Sequence, residues 1–168
     1  LMNVLSAQLM VNADLKGALL ISLLLMAVGA ALGALTGILV TITRVPDIIV
    51  TLATSFLWAG VALQIMPTPG GGSPIEFGNL LTGELGSDIP SGLVAVLVIL
   101  AVIWLPFRLS RWGLALYAIG SNRTAAFLSG VSVVRTRLVA YALGGVFATL
   151  GGLVLTANTS NGSPVAGN

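Results

Sequence analysis

Cysteine and histidine are both absent from the 168 residues. Without a thiol there is no disulfide framework, no thiolate metal site and no Cys nucleophile. Without an imidazole, the commonest general base and metal ligand is missing as well. Charge is also scarce: charged residues make up 7% of the chain, whereas an ordinary soluble domain carries roughly 25%. Apolar residues reach 57%, and the mean hydropathy is +1.07. A water-soluble fold this short cannot hide so much apolar surface, which argues against a soluble enzyme or a nucleic-acid binder. The same composition excludes disordered and fibrous chains. No Gly-x-x-x-x-Gly-Lys-Ser/Thr string occurs, so ATP hydrolysis is expected on a separate polypeptide. No catalytic residue, metal site or bound cofactor is expected in this chain. The composition reads as an all-α, polytopic helical membrane protein.

A bilayer core about 30 Å thick takes ~20 mainly apolar helical residues to cross. Four runs meet that requirement, at about 17–43, 46–66, 91–107 and 138–156. Residues 1–13 read as the tail of an earlier apolar helix. They lack the basic start and small-residue cleavage site of a signal peptide. The expectation is therefore about four complete spans plus part of a fifth, in one membrane domain over 1–168. No Met opens the chain and 163–168 reads as a loop, so both ends are expected to continue into a longer protein.

The charges set the orientation. Arg44 lies between the first and second runs, and Arg108, Arg111, Arg123, Arg135 and Arg137 lie between the third and fourth. Those two connections share a side in any alternating topology, and basic residues mark the cytoplasmic face. Asp14, Lys16, Glu76, Glu84 and Asp88 fall on the opposite side. Segment 67–90 is thus expected outside and 108–137 in the cytoplasm. Every charge sits at a span end or in a loop, where the about 2.5–3.5 kcal/mol cost of a mid-helix charge is avoided.

Small residues recur at helical spacing. Gly29, Gly33 and Gly37 form one ridge, and Gly144, Ala148 and Gly152 form another, with Gly145 and Gly151 beside it. Such ridges let helix backbones approach where lipid supplies no hydrophobic drive. They serve either packing or a bend and slide during transport. The second run places Thr51, Thr54, Ser55 and Trp58 on overlapping turns of one face. Two readings stand: the hydroxyls bond to their own helix carbonyls, or they line a path for a polar, uncharged solute. Neutral lining fits a sugar better than an ion, since no run carries a charged side chain away from its ends for a counter-ion or proton relay.

The segment Gly120-Ser121-Asn122-Arg123-Thr124-Ala125-Ala126-Phe127-Leu128-Ser129-Gly130 has the chemistry of a short capped helix. Ser121 or Asn122 can accept backbone N–H bonds at its start. The spacing predicts a helix over 124–128, and Gly130 can end it in a left-handed turn. A short exposed helix of this kind suits a groove in a partner protein.

With Arg137, Tyr141, Gly144 and Gly151 further on, this segment resembles the permease subunits of ribose-type sugar ABC importers. The stretch from Gly37 through Arg44, Pro46 and Thr51 to Thr54 is similar to the preceding helix pair of that family. Two departures are present: Leu114 stands where members usually carry a basic residue after the glycine matching Gly113, and full-length members are considerably longer. The resemblance implies a coupling helix that seats in a cleft of an ATP-binding subunit, a role falling on Gly120, Asn122, Ala125, Ala126, Ser129 and Gly130. It implies ATP and Mg on that subunit, a second permease subunit and a periplasmic substrate-binding protein. It places the chain in the bacterial inner membrane, moving a sugar or similar small polar solute. Branched-chain amino-acid ABC permeases and a non-ABC helical carrier or scaffold are the alternatives.

Overall fold

The computed structural model describes residues 1–43, 45–85 and 89–164; Arg44 and Asp88, used above to orient the chain, lie outside them. The described chain is helical apart from a two-residue antiparallel pairing, β1 (Glu84–Leu85) with β2 (Ile89–Pro90), and an isolated bridge between Gly70 and Gly162. In order the helices are α1 (Met2–Leu9), α2 (Leu15–Thr43), α3 (Asp47–Ile65), α4 (Ile75–Thr82), α5 (Ser91–Ile99), α6 (Leu105–Leu109), α7 (Arg111–Ser121), α8 (Arg123–Leu128) and α9 (Val133–Thr159). Prolines punctuate them. A residue before proline is pushed out of the α region, and proline itself suits a helix start, where its missing N–H loses nothing. Accordingly α2 stops short of Pro46, α3 stops short of Pro67, and Pro46 and Pro74 are the N-caps of α3 and α4.

Helices α2, α3 and α9 are each long and apolar enough to cross a membrane. Their outward faces expose Leu20, Leu23, Ile42, Ile48 and Phe56, a surface that lipid and not water can cover. The third run differs from the other three. Its helix passes through a π-helical segment, Leu100–Trp104, between α5 and α6. Pro106 cannot donate to the carbonyl of Val102, and the wider π turn lies over that gap. After Ser110 the chain turns by 69° into α7. The 108–137 connection holds more helix than expected: besides α8, which covers the predicted 124–128, it carries α7 and the start of α9, which begins at Val133 and not at 138. Segment 67–90 likewise holds α4, whose Phe77 is buried against α9.

The centre of the molecule is the α2–α9 pair. A Cβ on Gly29 would collide with Thr149 and the Gly145 carbonyl, one on Gly33 with the Tyr141 backbone, and one on Gly145 with the Gly29 carbonyl. The α2 ridge of Gly29, Gly33 and Gly37 therefore packs on a Tyr141–Gly145–Thr149 stripe of α9. The stripe expected from sequence behaves otherwise: Gly152 meets Met2 and Asn3 of α1, whereas Gly144 and Gly151 have open space where a Cβ would point. The apolar core gathers toward one end, where Met10, Ala18, Leu25, Phe77, Leu153 and Ala157 are buried together. Asn3 is the polar centre of that end. Asn3 Nδ2 donates to Thr156 Oγ1 at 2.9 Å, and Asn3 Oδ1 accepts from the Ser163 N–H at 2.8 Å.

Candidate functional site

Two features bear on function: a cavity among the long helices and a polar, arginine-bearing end. The cavity, of about 470 Å³, lies between α1, α2, α3 and α9. Its polar lining comes from Asn3, Thr36, Thr51, Trp58 and Tyr141, with Gly144 and Ala148 forming a smooth wall. Of the four residues singled out on α3, Thr51 and Trp58 reach this cavity; Thr54 and Ser55 do not line it. The hydroxyls of Thr51, Thr54 and Ser55 all donate to carbonyls of their own helix. Thr51 thus makes the local bond and also faces the cavity, whereas Thr54 and Ser55 make the local bond without lining it. Asn3, Thr36 and Tyr141 were missed because they stand on other helices, and no spacing within α3 could bring them in.

The arginine-bearing end is built around α8. Asn122 is its N-cap, and Asn122 Oδ1 accepts from the N–H groups of Thr124 and Ala125, each at 3.0 Å. The chain leaves the helix through Gly130 at φ +82, a left-handed conformation that glycine adopts without a Cβ clash. Helix α8 is held against α7 and the start of α9. Its inward anchor is Ala126, only 5% exposed. Phe127 and Leu128 point away, 67% and 79% exposed. Gly120, Asn122, Ala125, Ser129 and Gly130 are exposed as well. Among the six residues grouped on α8 from sequence, Ala126 is therefore the exception, turned toward the chain's own helices. Phe127 and Leu128, both outside that group, add a bulky apolar outward surface.

Arginines stand on α8 itself, at Arg123, and on the neighbouring helices α6, α7 and α9. Arg111 and Arg135 line one hollow with Ser132 and Thr136, and Arg123 and Arg137 line another with Pro46 and Asp47. Arg108 lies over the Trp104 ring at 5.1 Å and Arg111 over Trp112 at 5.8 Å, the cation–π geometry that holds a guanidinium beside an apolar surface. Arg137 donates to Asp47 at 2.7 Å, the one salt bridge among the described residues. That bond joins the start of α3 to the start of α9. It puts the α2–α3 connection and the α8 region at the same end of the bundle, as the charge count had required. Asp47 was not singled out from sequence; an acid directly after a helix-starting proline, in a chain with five acids, was the available signal.

Helical content, lipid-suited faces and charges confined to the ends define a multi-pass helical membrane protein. The chain belongs to the family described as the permease component of branched-chain amino acid transport systems, whose family model matches residues 2–168. It is 33% identical over 150 residues to the ribose import permease of Escherichia coli K12, covering 84% of this chain and 46% of that protein. Similarity to the D-allose transport system permease of the same strain is 34% over 141 residues, covering 83% and 43%. The autoinducer 2 import system permease of Yersinia pseudotuberculosis is 38% identical over 131 residues, covering 76% and 36%. The chain thus spans about half or less of these curated relatives. No solved structure matches it.

Proposed function

We propose that this chain forms part of the transmembrane permease of an ATP-driven importer for a sugar or similar small polar solute. The observation that carries the reading is α8: a capped helix at the arginine-bearing end that exposes two bulky apolar side chains, Phe127 and Leu128. An exposed pair of this kind on a short rigid helix fits a groove in a partner, and we assign that partner as a separate ATP-binding subunit on the cytoplasmic side. The enrichment of arginine there supports the cytoplasmic assignment, and similarity to permeases named for ribose, allose and autoinducer 2 supports the importer. The same similarity supports a bacterial inner-membrane location, a second permease subunit and an external substrate-binding protein. Chemistry and ATP with its Mg belong to the partner; this chain contributes the path and the grip.

The cavity supports a neutral solute. Its polar groups are amide, hydroxyl and indole donors and acceptors, with no charged side chain among them. The family description favours one second reading, a branched-chain amino acid as solute. Competition between unlabelled ribose and leucine for uptake by the full-length assembly separates the two.

Phe127→Asp and Leu128→Asp test the grip. In the full-length protein each is expected to lower recovery of the ATP-binding subunit on co-purification by roughly tenfold, the loss of one interface anchor, with membrane insertion unchanged. Wild-type recovery with both variants contradicts the reading.

A further inference from the structure

We infer that Asp47 and Arg137 are a positioning pair that carries movement of α8 and the start of α9 to α3, and so to the Thr51 side of the central cavity. The inference rests on the proposed role of α8. Three observations point to it. First, Arg137 and Asp47 stand near the N-terminal ends of two different helices, α9 and α3, and meet at 2.7 Å. Asp47 is well placed in the first turn of α3. The pair therefore ties together the beginnings of two long helices.

Second, the pair crosses a gap. A hollow of about 560 Å³ lies there, lined by Val40, Pro46, Asp47, Arg123, Val134 and Arg137 among others. Across it the 2.7 Å contact joins α9 directly to α3. A charged bond across open space can follow a rigid-body shift that a packed apolar seam would resist. Third, each end of the pair is tied to a functional element. On one side α8 runs into α9 through the Gly130 turn, with the Val131 N–H donating to the Ala126 carbonyl at 3.0 Å. On the other, Thr51 Oγ1 donates to the Asp47 carbonyl at 2.9 Å, and Thr51 lines the cavity. Tyr141, one turn beyond Arg137, also stands on the cavity wall.

The test uses the full-length permease assembled with its ATP-binding and substrate-binding partners in proteoliposomes, measuring solute taken up per ATP hydrolysed. Asp47→Asn and Arg137→Gln are expected to keep the ATP-binding subunit bound while lowering that ratio by roughly five-fold or more, the lower range of an intersite coupling. Arg137→Lys, which keeps the charge, is expected to retain most of it. A wild-type ratio in both neutral variants overturns the inference. So does an equal fall in Arg137→Lys accompanied by loss of the ATP-binding subunit, which marks a purely structural contact. Should the neutral variants fail to assemble, the reversed pair Asp47→Arg with Arg137→Asp decides. Restored assembly and coupling uphold the link, and failure of either overturns it. An unaltered permease that recovers no ATP-binding subunit refutes the proposed function instead.

Discussion

Neighbouring glycines on α9 carry opposite consequences. Gly145 touches the backbone of α2 at Gly29, whereas Gly144 faces open space. In a membrane, where helices gain little from hydrophobic association, the close approach at Gly145 is the source of the packing. Gly145→Val is expected to destabilise the protein by about 1–3 kcal/mol through overpacking. Gly144→Ala removes the helix penalty of glycine and is expected to be neutral or stabilising by about 1 kcal/mol. Thermal unfolding of both variants in detergent measures the contrast. The sequence shows that α9 is rich in small residues, but it does not show which stripe meets α2. A 3.6-residue period brings Gly144, Gly145, Ala148, Thr149 and Gly152 onto overlapping faces, and the rotation of the helix about its axis is chosen by tertiary contact. The same limit applies to α3: periodicity places Thr51, Ser55 and Trp58 near one another, and only the neighbours α1, α2 and α9 decide which of them reaches the cavity.

At the scale of elements, α8 was the most legible, because its signals are local. An Asn cap, a short run of helix formers and a glycine two residues past the end are backbone chemistry, independent of the rest of the fold. The structure starts the helix one residue earlier than expected, at Arg123, and keeps Asn122 and Gly130 in their expected roles. Asn122→Ala leaves the Thr124 and Ala125 N–H groups without their side-chain acceptor and is expected to cost about 1 kcal/mol of local stability. Gly130→Ala forces a Cβ into the left-handed region, a strain of about 1–2 kcal/mol. Faster amide exchange confined to α8 is the expected signature of both. By contrast, α7 escaped a reading based on apolar runs because it is short and lies beyond Arg108, where hydropathy falls. The π segment before Pro106 was equally hidden, since proline marks a disturbance without saying how the backbone absorbs it.

Across the whole molecule, an orientation deduced from arginine counts meets a bond that joins the relevant helix ends. Arg137 and Asp47, ninety positions apart, meet where α3 and α9 begin. The opposite end is closed by different chemistry: the Gly70–Gly162 bridge, the Gly72 N–H donating to the Ala7 carbonyl, and the buried Asn3–Thr156 pair. The result is a bundle with one well-packed end and one arginine-bearing end that carries an exposed apolar knob.

The absence of native cysteine in these 168 residues makes the decisive measurement direct. Single cysteines at Leu128 and Gly72 in the full-length protein, probed with a membrane-impermeant thiol reagent in sealed vesicles of each orientation, report which end faces which compartment. The account requires Leu128→Cys to react from the cytoplasmic side only, with protection when the ATP-binding subunit is bound, and Gly72→Cys to react from the other side. Labelling of Leu128→Cys from outside, or no protection by the ATP-binding subunit, contradicts it.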